Sequence, residues 1–216
     1  MLGGDSAVQI LTFPIYKTQS EYFFKAIRGR TDVIELWMRI IKLILLDHSL
    51  PDIQPSGELS IIAEKMNRIF IAGENRLFSL NFPFKIYYED AIYSVFTKSG
   101  IQLDSKNTSD IISLFSNPYF LNINPDSSFD TVIDVCANDS SSWNIFKDTL
   151  LSEAGYIRFD HDSTNENGTL HPLNHFDICY STEATYKIGI NSHVKLDKFA
   201  DILNVNTDCH FLHSHR

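Results

Sequence analysis

Three segments late in the chain alternate residue by residue between apolar and polar side chains: YIRFDHD (Tyr156–Asp162), HFDICYS (His175–Ser181) and YKIGINSH (Tyr186–His193). Successive side chains of a strand point to opposite faces, so each segment reads as a strand with one face against a core. In the first, Ile157, Phe159 and His161 share a face and Arg158, Asp160 and Asp162 share the other. In the second, Phe176, Ile178 and Tyr180 oppose His175, Asp177, Cys179 and Ser181, and in the third Tyr186, Ile188 and Ile190 oppose Lys187, Gly189, Asn191 and His193. An antiparallel sheet has to bring the apolar faces together, which restricts the pairing to even shifts of register.

One allowed register sets Asp162 opposite His175, Asp160 opposite Asp177 and Arg158 opposite Cys179, leaving Ser163–Asn174 as a long loop. A five-residue turn, Ser181–Thr185, then places Lys187 opposite Cys179 and Gly189 opposite Asp177, where the glycine leaves space beside the carboxylates. Directly opposed carboxylates have Cβ atoms roughly 5 Å apart and repel. Such a pair needs a proton, a neighbouring Arg158 or Lys187, or a bound cation. Two or three carboxylates with one imidazole suit Mg²⁺ or Mn²⁺, and two imidazoles with one carboxylate suit Zn²⁺. Asp160, Asp162, Asp177 and His175 are the candidate metal ligands. His175 doubles as a candidate general base, His171 is a second ligand or proton carrier, and Lys187 and Arg158 are placed to stabilise developing negative charge. The same alternation arises on the wet face of any antiparallel sheet, so a solvated or salt-bridged face and a binding groove without chemistry stand beside the reactive reading.

Composition narrows the classes. The net charge of −9 lies in residues 101–216, with 7 Lys+Arg against 16 Asp+Glu, while residues 1–100 balance at 11 and 11. Non-specific nucleic-acid binding needs a basic surface, and no basic run occurs. A bound metal would change the local sign, so a nuclease is not excluded. The three cysteines, Cys136, Cys179 and Cys209, are widely spaced; with no leader pattern they read as reduced thiols of a cytoplasmic protein. The most apolar stretch, Leu36–Leu46, is short for a membrane span and is interrupted by Arg39 and Lys42, so no membrane partner is expected. Other partners, a protein or a second copy of the chain, are left open. The Cys209–Arg216 segment has ligand-like spacing but lacks a partner cysteine pair, and reads as a tail.

Along the rest of the chain, residues 7–16 read as a strand, and a Thr18-x-x-Glu21 capping pattern opens a helix that Gly29 can close. Asp32–Asp47 reads as a helix, with Leu36, Trp37, Ile40, Ile41 and Ile44 on one stripe. Residues 57–72 show helical spacing at Leu59, Ile62, Met66 and Ile69. Residues 76–82 and 84–88 are strand candidates, and 89–100 and 108–116 read as short helices. Residues 129–137 read as a strand. A helix from Ser140 or Ser141 to about Glu153 is expected to bury Trp143, Phe146 and Leu150, and a last helix covers 195–203. The chain is therefore expected to be α+β, a single domain over 1–216: a helix-rich part (18–116), then a strand–helix–hairpin part (129–203) whose antiparallel sheet carries the polar site.

The strings YIRFDHD, HPLNHFD and YKIGI resemble a bacterial family, the domain of unknown function numbered 2290, in its Arg-Phe-Asp-x-Asp, His-Pro-x-x-His and following lysine-bearing strand. That resemblance covers residues 155–191 and implies an association with defence or mobile-element neighbourhoods, with no established activity. From the residues themselves, the expected function is a metal-dependent hydrolase of phosphodiester bonds, nuclease-like. The alternative is a non-catalytic module that binds a ligand or protein on the same face.

Overall fold

The computed structural model describes residues 10–46, 54–63, 66–116, 140–179 and 185–211, and is α+β. It divides into two compact units. The first comprises residues 1–20, 55–81 and 155–216, and the second residues 21–54 and 82–154.

The first unit is built on a seven-stranded antiparallel sheet. Its strands are β1 (Ile10–Ile15), β2 (Gly57–Ile62), β3 (Arg68–Ala72), β4 (Arg76–Asn81), β8 (Ile157–His161), β9 (Asn174–Cys179) and β10 (Thr185–Gly189), hydrogen-bonded in that spatial order. The helix expected over 57–72 is instead the β2–β3 pair. Its apolar residues fit both periods, but Leu59 and Ile61 face Phe13 and Leu11 of β1 on one side and Ile71 and Ile69 of β3 on the other. A ladder of that length outweighs local helical spacing. Asn67, in the left-handed region at φ 39°, lies at the turn into β3, where asparagine is tolerated.

Both faces of this sheet are used. On one, Phe70, Leu77, Phe159 and Phe176 pack with Val194 and with Phe199 of a short helix, α5 (Leu196–Ile202). The Phe176 and Phe199 rings stack with centroids 5.9 Å apart. On the other face, apolar residues of β1–β4, such as Phe13, Leu59, Ile71 and Phe78, are buried. Beyond β4 the side chains on that face become charged.

The second unit has α2 (Arg30–Leu45), α3 (Ser105–Ser116), α4 (Ser140–Leu151) and a three-stranded sheet, β5 (Lys85–Glu89), β6 (Ile92–Phe96) and β7 (Gln102–Leu103). A first helix, α1 (Lys17–Phe23), begins in one unit and ends in the other. It starts one residue before the expected cap, Thr18: Gln19 Oε1 accepts from the Tyr16 N–H at 2.9 Å. Gly29 does not close it but caps α2, where Asp32 Oδ2 accepts from the Arg28 and Gly29 N–H groups at 2.8 and 3.2 Å.

The α2 stripe is core as its spacing requires: Trp37, Ile40, Ile41 and Ile44 are fully buried. Arg39 and Lys42 leave the stripe, to Glu35 at 2.6 Å and to Ser109 at 2.7 Å. The helix expected over 89–100 is the β5–β6 hairpin. Glu89 pairs with Ile92, leaving Asp90 and Ala91 as a two-residue turn with φ of 50° and 65°. This is the mirror-image turn that matches strand twist, made here without the usual Asn-Gly or Asp-Gly. In α4, Ile145 and Phe146 are buried, whereas Trp143 and Leu150 are exposed, contrary to expectation. The strand expected over 129–137 lies outside the described residues. Among the described residues, no helix is long and apolar enough to cross a membrane.

Because Ile40 is fully buried in α2, replacing it with alanine removes three carbons and leaves a cavity. We expect Ile40→Ala to destabilise the protein by about 2–5 kcal/mol in denaturant unfolding. A change below about 0.5 kcal/mol, typical of surface positions, would contradict the assigned packing.

Candidate functional site

Strands β4, β8, β9 and β10 carry the charged side chains. The three late strands form as their alternation requires, but both pairings are shifted by two residues from the expected register. Asp160 faces His175 and Arg158 faces Asp177 across β8–β9, while Lys187 faces Asp177 and Gly189 faces His175 across β9–β10. An even shift keeps every residue on its face. It replaces an Asp–Asp opposition with an Arg–Asp one, and opposite charges across a ladder attract where like charges repel. The loop ends earlier than expected: Asn174 is paired with His161, and the Asp162 N–H donates to the Leu173 carbonyl at 2.8 Å.

The carboxylates are neutralised by protein cations. Arg158 Nη2 donates to Asp160 Oδ2 at 2.7 Å and to Asp177 Oδ2. Arg76 Nε, from β4, donates to Asp160 Oδ1 at 2.8 Å. Lys187 Nζ lies 3.3 Å from Asp177 Oδ1. Asp160, His175 and Asp177 are 5%, 1% and 4% exposed, so these charges have left bulk water. Burial works against the charge on Arg158, but Tyr156, Asp160 and Asp177 outweigh it and raise its pKa. Sequence reasoning missed Arg76, whose place beside Asp160 follows only from the pairing of β4 with β8, strands separated by the whole stretch 82–154.

Hydrogen bonding fixes the His175 ring. Nδ1 is 2.8 Å from the Pro172 carbonyl oxygen, which can only accept, so Nδ1 carries the proton. Nε2 is 3.2 Å from Lys187 Nζ, a donor, and 3.9 Å from both Asp160 Oδ2 and Asp177 Oδ1. The Nε2 lone pair thus accepts from the Lys187 ammonium, with the two carboxylates a little farther off. A carbonyl partner on the far nitrogen is the usual way a metal-ligating histidine is oriented.

Asp160, His175 and Asp177 each offer an atom such that all lie within 4.8 Å of one another, close enough to share a metal ion. The structure does not bring Asp162 to this group. Its Oδ1 accepts from the Thr164 and Asn165 N–H groups at 3.2 and 3.0 Å, and its Oδ2 from Asn165 Nδ2 at 2.9 Å. It folds the loop, as Asp commonly does in turns. His171 is brought close: its ring centroid is 4.6 Å from that of His175. The space expected beside Gly189 is filled by Pro172.

Of four buried side-chain atoms without a hydrogen-bond partner among the described residues, three belong to this cluster: Arg158 Nε, His171 Nδ1 and Asp177 Oδ1. Asp177 Oδ1 keeps the Lys187 ammonium as its ion-pair partner at 3.3 Å, and buried atoms left without a hydrogen bond are places where a water or an ion can sit. His161, on the apolar face, bonds Asn174 Oδ1 through Nδ1 at 2.8 Å. In the tail, Cys209 is an exposed free thiol and His210 pairs with Asp201 at 3.0 Å. His213 and His215 lie outside the described residues. Comparison with family models, curated proteins and solved structures found no match.

Two expectations follow. Removing one partner of a buried ion pair leaves an uncompensated charge, so Arg158→Ala should destabilise the metal-free protein by about 3–5 kcal/mol in denaturant unfolding. A loss near zero would mean that Arg76 and Lys187 suffice. Bonds from Asn165 hold the Asp162 carboxyl below its ordinary pKa. A depressed carboxylate contributes stability that is present above its unfolded value and lost as pH falls through the folded value. An NMR titration of Asp162 should show a midpoint below the ordinary 3.8, and Asn165→Ala should move it upward.

Proposed function

We propose that this protein is a divalent-cation-dependent hydrolase acting on phosphodiester bonds, with Asp160, His175 and Asp177 as the cation ligands. The observation that supports it is the shared reach of three buried ligand atoms, one of them the His175 nitrogen left unprotonated by the bond from Nδ1 to the Pro172 carbonyl. Two carboxylates and one imidazole suit Mg²⁺ or Mn²⁺; Zn²⁺ is the alternative if His171 joins the set. A cation held there would supply Lewis-acid charge and lower the pKa of a bound water.

The protein groups divide the remaining work. Arg158 and Lys187 now neutralise the carboxylates. Relieved of that task, they would face an anionic phosphoryl group and stabilise the charge that develops on its oxygens. His171 Nδ1, buried and without a partner, is the nitrogen available to take a proton from the attacking water. His171 and Pro172 lie over the cluster, so the loop between β8 and β9 would have to move for a substrate to enter. The resemblance of YIRFDHD and HPLNHFD to the family numbered 2290 supports placing the chain there, with the defence or mobile-element setting that this implies.

One observation favours a second reading. Three cationic side chains, Arg76, Arg158 and Lys187, already serve two carboxylates, which suits a non-catalytic module that binds a ligand or partner on this face.

Thermal unfolding with Mn²⁺, Mg²⁺ or Zn²⁺ separates the two. Binding to the native state stabilises it by about 2.7 kcal/mol when the ion is at 100 times its Kd. We expect a rise in Tm for the wild type and a larger rise for Arg158→Ala, where no guanidinium competes for the carboxylates. Asp160→Asn should show a smaller rise. Equal shifts in all three proteins would exclude a cation site at Asp160.

A further inference from the structure

We infer that Gly189 and Pro172 act together as positioning residues for His175, setting the tautomer that leaves a lone pair on Nε2, the ring nitrogen beside Asp160, Asp177 and Lys187. Its bearing on catalysis rests on the cation site proposed above, but its effect on the histidine does not.

Gly189 is the β10 residue directly opposite His175. A Cβ built on Gly189 would lie 2.9 Å from Pro172 Cγ and 3.4 Å from Pro172 Cβ. Real Cβ atoms are essentially never in contact at the shorter distance, so one group would have to move. Pro172 cannot yield as a long side chain would, because its ring is closed onto its own backbone nitrogen. Relief through a shift of the Pro172 main chain moves its carbonyl, the acceptor for His175 Nδ1–H at 2.8 Å. The glycine is not required by its dihedral angles, since its φ lies outside the left-handed region. What position 189 lacks is a side chain, and the missing side chain is the seat of Pro172.

The consequence is specific to one ring. With the carbonyl in place, Nδ1 holds the proton and Nε2 accepts from Lys187 at 3.2 Å. With the carbonyl displaced, Nδ1–H has no acceptor, and the tautomer with the proton on Nε2, beside the carboxylate oxygens, becomes the better hydrogen-bonded form. That form presents no lone pair to a cation. The His-Pro-x-x-His spacing thereby has a physical meaning: Pro172 is three residues before His175, close enough for its carbonyl to turn back onto the ring.

The test is Gly189→Ala in the full chain, with two readouts. The first is the tautomer of His175 in metal-free protein, read from its ring ¹⁵N shifts. The wild type should show the proton on Nδ1, and the variant should lose that signature. The second is Mn²⁺ affinity by calorimetry, which should fall at least about tenfold, as when the partner of a ligating imidazole is removed. The double variant Gly189→Ala/Pro172→Ala removes the Cγ contact and should return the Nδ1–H signature and most of the affinity. An unchanged tautomer in Gly189→Ala would overturn the inference, as would a double variant no closer to wild type than the single one. If Gly189→Ala does not fold, recovery of fold and tautomer in the double variant supports the inference, and failure of both overturns it. A tautomer that changes as expected in a protein whose wild type binds no Mn²⁺ would leave the positioning role standing and remove the cation site.

Discussion

One guanidinium holds this end of the sheet together. Arg158 contacts both Asp160 and Asp177, and without it two desolvated carboxylates within 4.8 Å of each other on adjacent strands would lose their shared counter-charge. Arg76 and Lys187 take the remaining oxygens from the flanking strands, so four strands are tied by charge at the point where the apolar face of the sheet gives out. The arrangement is not needed for packing. The same face is filled by Phe13, Leu59, Ile71 and Phe78 on the earlier strands, and a buried ionic group is often no more stable than well-packed apolar residues of similar volume. The sheet thus packs phenylalanine and isoleucine on one half of a face and buries Asp160, His175 and Asp177 on the other, with Arg158 partly exposed between them.

The loop between β8 and β9 makes the site more than an ion-pair network. Asp162 organises its first turn, and Asn167 and His171 bridge across it. Pro172 rests on Gly189, with its carbonyl on the His175 ring. Much of the polar density of this stretch goes into folding the loop. The residue types that suggest metal ligation therefore divide into those that face the cluster and those, like Asp162, that shape the segment above it.

Much of this organisation was legible in the sequence. The α2 stripe of Trp37, Ile40, Ile41 and Ile44 reads as the buried face of a helix because its 3.6-residue period is sustained along the element. The alternation in YIRFDHD, HFDICYS and YKIGI determines three strands and places Arg158, Asp160, His175, Asp177 and Lys187 on one face. Both signals are local: the side-chain period is set by the chain's own geometry.

What only the tertiary structure decided is whatever depends on a partner distant in sequence. Residues 57–72 fit a helix by spacing and become strands because β1 and β3 offer a ladder on both sides. Register was free to slip by two without moving any side chain to the wrong face, and the choice fell to the pairing that sets Arg158 against Asp177. Arg76 reaches Asp160 because β4 and β8 are neighbours across a long insertion. Periodicity fixes which face a residue takes; only the pairing of strands fixes what it meets there, since that energy is shared between segments that no local pattern connects.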